Sequence, residues 1–128
     1  DPAATCWSNF KQYFATRNLG YSYNLNDTVE YYKLYLDLMK YWNQHFGSLI
    51  YDLDYEKLTA NTLVETKKVI KYLNLNWENA CLEPHKNMRS VKTASQQQVR
   101  RKVYTGSSEA WRKFSPFLKN SFDDLKYL

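Results

Sequence analysis

DTVEYYKLYLDLMKYWNQHFG, residues 27–47, sets Val29, Tyr32, Tyr35, Leu36, Met39, Trp42 and Phe46 along one helical stripe. Apolar side chains spaced by three and four share one face of a 3.6-residue helix, so the stretch is predicted to be a long amphipathic helix. Asp27 followed by Glu30 has the form of a capping box at its start. Gly47 stands where a left-handed residue commonly closes a helix.

Upstream, Asp1-Pro2 reads as a helix start, a capping carboxylate followed by proline at the first helical position. Trp7, Phe10, Tyr13 and Phe14 recur at helical spacing, which carries the expected first helix to about Arg17, before Asn18-Leu19-Gly20. Downstream, Ser-Leu-Ile-Tyr-Asp-Leu at 48–53 is short and β-prone and is predicted to be a strand. A single strand needs a neighbour, so it is expected to pair with a segment outside this chain or with a second copy in a homodimer. Thr62 with Glu65 predicts a further capped helix bearing Val69, Ile70 and Leu73, and a short helix follows over 77–82, stopped by Pro84. Beyond the basic segment, Ser107 or Ser108 is expected to cap a helix with Trp111 and Phe114. Ser115-Pro116 restarts one with Phe117, Leu118, Phe122 and Leu125. The fold class is mostly α with one short strand.

The 128 residues suit a single domain. Hydrophobic residues make up 44% and Gly plus Pro occupy six positions, which excludes a disordered or collagen-like chain. Cys6 and Cys81 match no metal spacing and are expected to be small buried hydrophobes in a reducing compartment such as the cytoplasm. His45 and His85 are too far apart in sequence to suggest a metal site, and no metal is expected. No stretch has the run of about 20 apolar residues that a membrane span needs. The opening on Asp1 rather than methionine suggests a fragment or a processed product.

Net charge is +5 and unevenly placed: Lys86, Arg89, Lys92, Arg100, Arg101 and Lys102 fall between 86 and 105 with no acidic residue among them. Such a block attracts phosphate-bearing partners. Three groups of residues have chemistry that suits phosphate. The N-terminus of the first helix is an anion site, and Ser8, about two turns in, offers a hydroxyl that can add a hydrogen bond to a phosphate. Tyr55 follows the predicted strand within Leu53-Asp54-Tyr55-Glu56-Lys57-Leu58, at the strand end where open α/β folds bind ligands. The run from Thr93 to Trp111 gathers Ser95, the Gln96–Gln98 amides, Arg101 and Tyr104 before a turn at Gly106. Arginine grips phosphate with two prongs, and glycine lets backbone approach a ligand.

Together these segments resemble the sulfotransferase family, in the same order along nearly the whole chain. Asp1-Pro2-x-x-x-x-x-Ser8 resembles the Arg-Asp/Asn-Pro-x-x-x-x-x-Ser signature whose Arg and Ser bind the 3′-phosphate of 3′-phosphoadenosine 5′-phosphosulfate. The 53–58 segment is similar to the family's Tyr-Glu-x-Leu strand end. The 93–111 run is similar to the late nucleotide loop of the bacterial and protein-tyrosine branches. The resemblance implies the C-terminal part of a P-loop-like α/β fold. It makes Ser8 a 3′-phosphate ligand and Tyr55 a nucleotide contact. Ser95 would lie near the phosphosulfate as transition-state support and Arg101 at a phosphate, with Tyr104 and Gly106 shaping the loop.

The parent enzyme would then pass a sulfuryl group from that donor to a hydroxyl or amine. The family's Gly- and Lys-bearing phosphosulfate loop and its general base have no match here, so the isolated chain is expected to be inactive. The base and the acceptor stay unassigned. A second reading, a non-enzymatic basic helical module binding nucleic acid or another polyanion, ranks below it because no nucleic-acid motif supports it. A third is a helical interaction domain using a tyrosine-rich face.

Overall fold

The computed structural model describes every residue except Thr16, Arg17, Lys92, Ala94, Gln96 and Leu128, with Tyr127 described in its backbone alone. It is mostly helical, and among the described residues no strand forms. The chain divides into two compact units, Asp1–Gly47 with Gly106–Leu128, and Ser48–Thr105.

In the first unit, α1 spans Pro2–Phe10. The Asp1 Oδ1 accepts a hydrogen bond from the Ala4 N–H at 2.7 Å, the capping expected of Asp-Pro. The helix ends at Phe10, short of the expected Arg17, which lies outside the described residues. The Lys11 N–H turns back to the Trp7 and Asn9 carbonyls. Tyr13 is 75% exposed and meets the Tyr23 ring, while the Tyr23 hydroxyl donates to the Phe14 carbonyl. These two aromatics therefore serve a turn, and their helical spacing is incidental.

A 3₁₀ turn, Gly20–Tyr23, leads into α2, Leu25–Phe46. The cap is Asn24, whose side chain accepts from the Asn26 and Asp27 N–H groups. Asp27 sits instead within the first turn, where its charge favours the dipole. The helix is present as predicted, but its stripe is buried at one end only. Val29 is in the core and Tyr32 packs on it, whereas Tyr35, Trp42 and Phe46 are exposed. Gly47 is right-handed (φ −54°, ψ −32°), not the left-handed closure expected of it, and opens a 3₁₀ turn, Gly47–Leu49.

The carboxyl-terminal stretch of this unit forms two 3₁₀ segments, Ser107–Phe117 and Asp123–Tyr127, where α-helices were predicted. No serine side chain caps the first. Gly106 holds the cap position at φ 86°, a left-handed angle that favours glycine. Pro116 lies inside the segment and has no N–H to give an α-helical ladder.

The core gathers Ala3 and Cys6 from α1, Val29 from α2, and Leu118, Phe122 and Leu125 from the end of the chain. Each of the larger side chains gains about 1.5–3 kcal/mol on burial, which ties three distant stretches together. The Trp7 and Phe114 rings meet at 4.7 Å, tilted by 30°, and the Cys6 thiol donates to the Thr28 carbonyl at 4.0 Å, joining α1 to α2.

The second unit holds α3, Tyr55–Ala60, and α4, Thr62–Tyr72, packed on each other. Short 3₁₀ turns follow at Asn79–Leu82, Pro84–Lys86 and Gln98–Arg100. The strand expected at 48–53 is absent: 48–49 belong to the 3₁₀ turn and 50–53 join no ladder. A strand is held by hydrogen bonds to a neighbour, and no described residue supplies one. In place of a ladder, Tyr51 packs on Tyr72 at 4.9 Å and the Tyr72 hydroxyl donates to the Ser48 carbonyl at 3.2 Å.

Thr62 opens α4 without a side-chain cap, and Glu65 pairs with Lys68 at 2.6 Å instead of reaching back. The expected helix at 77–82 is a 3₁₀ turn, with the Trp77 indole bonded to Asn79 and Lys67 above its ring. No helix among the described residues is long and apolar enough to cross a membrane.

Candidate functional site

The residues singled out for phosphate chemistry divide between the units. Ser8 and Gly106 belong to the first, and Tyr55, Ser95, Arg101 and Tyr104 to the second.

Ser8 is exposed on α1, on a face apart from the buried Ala3 and Cys6. It sits in the last turn of α1, which ends at Phe10, so the positive end of the helix dipole does not reach it and any anion contact rests on its hydroxyl alone.

Tyr55 is the first residue of α3 and 47% exposed. Asp54 caps this helix: its Oδ1 accepts from the Lys57 N–H at 2.9 Å, and its Oδ2 lies 3.2 Å from the Lys57 ammonium. The backbone bond first, and then the ammonium, hold the Asp54 carboxyl below its ordinary range. That cap fixes where the chain turns into the helix and so where Tyr55 begins.

Ser95 is exposed, and its carbonyl accepts from the Val99 N–H at 3.1 Å, bracing the turn Gln98–Arg100. The adjacent arginines differ in circumstance. Arg100 donates through Nη2 to the Arg89 carbonyl at 2.6 Å, which commits part of its guanidinium to the protein. Arg101 is exposed next to it, and Tyr104 is 51% exposed. Of the Thr93-Ala94-Ser95 match, Ala94 lies outside the described residues, as do Lys92 and Gln96. At Glu83, pairing with Lys86 at 2.5 Å lowers the carboxyl's pKa.

Two of the hollows among the described residues lie within the first unit. One, of about 460 Å³, sits at the amino end of α1 against Trp111, Arg112, Lys119 and Lys126. Its cations are largely matched inside the protein, since Arg112 pairs with Glu109 and Lys126 with Asp123. The other, of about 300 Å³, is lined by Tyr21, Tyr31, Tyr32 and Tyr35, with Thr5, Cys6, Asn9 and Thr28. Neither hollow includes Ser8 or Gly106. Sequence reading missed the second one. The available signal was the Tyr31-Tyr32 doublet with Tyr35 one turn on, facing Thr5 and Asn9 spaced by four on α1.

The profile of the Sulfotransferase family matches residues 1–79, well over half of the chain. The chain belongs to that family. It is also 34% identical over 113 residues to an uncharacterized protein of Aquifex aeolicus (strain VF5). That alignment covers 87% of this chain but 15% of the relative, so the chain spans a small part of that protein's length. No solved structure matches it. The matched residues 1–79 include Ser8 and Tyr55 and stop before Ser95, Arg101, Tyr104 and Gly106.

Proposed function

We propose that this chain is the nucleotide-binding part of a sulfotransferase, gripping the 3′-phosphoadenosine side of 3′-phosphoadenosine 5′-phosphosulfate. The whole enzyme passes the sulfuryl group to a hydroxyl or amine by in-line displacement. Ser8 donates its hydroxyl to the 3′-phosphate, and Tyr55 contacts the nucleotide. Arg101 offers its guanidinium to a phosphate, Ser95 supports the phosphosulfate end, and Tyr104 with Gly106 shapes the loop over the donor. No residue of this chain is assigned as the base. Catalysis by charge stabilisation needs donors placed around the transferring group, and of the residues named here only Ser95 is assigned to that end of the molecule.

One observation carries the reading. Within the family-matched residues, the Asp-Pro pair caps a helix and Ser8 stands exposed in its last turn, with a hydroxyl able to donate to a phosphate. The difference between Arg100, bound to a backbone carbonyl, and its exposed neighbour Arg101 supports the choice of the latter.

Calorimetric titration with adenosine 3′,5′-bisphosphate is the test. The expected result is weak binding, reduced about tenfold or more in Arg101→Ala and in Ser8→Ala, as loss of a charge-assisted phosphate bond requires. Binding that both variants leave untouched, or stronger binding of mixed-sequence oligonucleotides with a steep salt dependence, would overturn the assignment.

A further inference from the structure

We propose that the tyrosine-lined hollow of the first unit is a binding site for an uncharged sugar ring. The proposal does not depend on the nucleotide reading and uses none of its residues.

The floor is closed and apolar, since Cys6 is 1% exposed and Val29, next to Thr28, is in the core. The walls are aromatic. Tyr21 and Tyr31 stack face to face with centroids 3.9 Å apart and planes within 5°. Tyr32 and Tyr35 meet at 5.6 Å, tilted by 42°. One face of Tyr31 is thus covered by Tyr21, yet the residue is 50% exposed, and Tyr35 is 48% exposed. Water meets large aromatic surface here at a concave site, which is where a ring-shaped ligand gains most by covering it.

The chemistry of the lining narrows the ligand. No Lys, Arg, Asp or Glu lines the hollow, so neither a phosphate nor an ammonium group finds its counter-charge. Hydroxyl and amide groups are dense instead. There are four phenols and the Asn9 carboxamide, whose Nδ2 donates to the Thr5 carbonyl at 3.0 Å and leaves its oxygen as an acceptor; the Thr5 and Thr28 hydroxyls already donate to the Asp1 and Asn24 carbonyls. Burial first, and then its stacked neighbour, raise the Tyr21 pKa. Burial, Tyr35 and Cys6 raise that of Tyr32, so both phenols stay protonated donors near neutral pH. A flat apolar ring would strand the phenol hydroxyls and the Asn9 oxygen that it covered, each at a desolvation cost. A pyranose presents C–H bonds to the electron-rich faces of the tyrosines and hydroxyls to the donors and acceptors around its rim. The volume, about 300 Å³, is at the small end for ligand sites and suits one ring rather than a long chain.

The test is NMR of the full chain with labelled tyrosine rings, titrated with methyl glucoside, N-acetylglucosamine and a neutral trisaccharide. Phenol and adenosine 3′,5′-bisphosphate form separate arms. At least one saccharide is expected to shift the Tyr31 and Tyr35 ring signals. Tyr31→Ala should weaken that saccharide about tenfold, and Tyr31→Phe, which keeps the stacking face, less than about threefold. Tyr35→Ala serves as the second variant should Tyr31→Ala lose its fold. The proposal is overturned if no saccharide moves these signals at millimolar concentration, or if the alanine variants bind as the parent does. It is also overturned if phenol or the nucleotide occupies the hollow more tightly than every sugar. A nucleotide that binds elsewhere, with these rings unmoved, bears on the other reading and leaves this one to the saccharide arms.

Discussion

The rings of Trp111 and Phe122 meet edge to face, with centroids 5.5 Å apart and planes at 78°. Phe122 is 7% exposed at the centre of the first unit's core. The Trp111 indole N–H is also buried, and it finds no acceptor among the described residues. One contact therefore joins a well-packed ring to a polar group held at a cost. Phe122→Ala should destabilise by about 3–5 kcal/mol, through lost transfer energy and the cavity it leaves. Trp111→Phe should fall within about 1 kcal/mol of the parent, because removing the unpaired N–H offsets the smaller ring. Thermal melts of the two variants check this; equal losses would mean that the indole has a partner.

Asn24 carries the start of α2. Its carboxamide oxygen accepts from the N–H groups of Asn26 and Asp27 at 2.9 and 3.2 Å. Asn24→Ala should cost about 1 kcal/mol, whereas Asn24→Asp should cost little or stabilise, since a carboxylate also complements the helix dipole. Asp27→Ala, at the position that the sequence pattern favours for the cap, should cost less than Asn24→Ala. Chemical denaturation of the three variants ranks them.

The two capping outcomes show what could be read in advance. The apolar stripe of α2 repeats over five turns, and the helix is present as that period demands. Its cap depended on the choice between two nearby polar residues, Asn24 and Asp27, which spacing does not resolve. The first helix was read too long because Tyr13 and Phe14 continue its period, while the turn that claims them relies on Tyr23. That contact lies outside any local window. The strand at 48–53 failed for a related reason: β propensity describes a surface that a neighbour must complete. Of the proposed nucleotide site, sequence could name Ser8 and Arg101 only as residue types in a motif; both are exposed. The tyrosine hollow was not legible, because it forms where α1, the 3₁₀ turn and α2 meet.

The two cysteines should differ sharply in reactivity. Cys6 is 1% exposed, and burial pushes its thiol up to about 11, so almost none is thiolate at neutral pH. Cys81 is half-buried in the other unit. Alkylation of the native protein at neutral pH should modify Cys81 at least about tenfold faster than Cys6, and denaturant should abolish the difference. Peptide mapping by mass spectrometry reads both sites. Fast native labelling of Cys6 would show that α1 and α2 part readily.

The amino end of α3, where Tyr55 begins, depends on a titrating cap. Bonding to the Lys57 N–H and ammonium lowers the Asp54 pKa from its ordinary 3.8, so folding favours the ionised form. A group with a depressed folded-state pKa contributes stability that is fully present above the unfolded value and lost as pH falls through the folded one. The Lys57 amide resonance should therefore stay constant from neutral pH down to about the ordinary carboxylate value, then move at lower pH as the cap protonates and the first turn loosens. Asp54→Asn keeps an acceptor for that N–H but cannot titrate, so the same resonance should lose the transition while the helix persists. The Tyr55 ring signals should follow the wild-type transition, because Tyr55 is the residue next to the cap. A Lys57 amide that shifts identically in the wild type and in Asp54→Asn would place the titrating group elsewhere and remove Asp54 as the support for Tyr55.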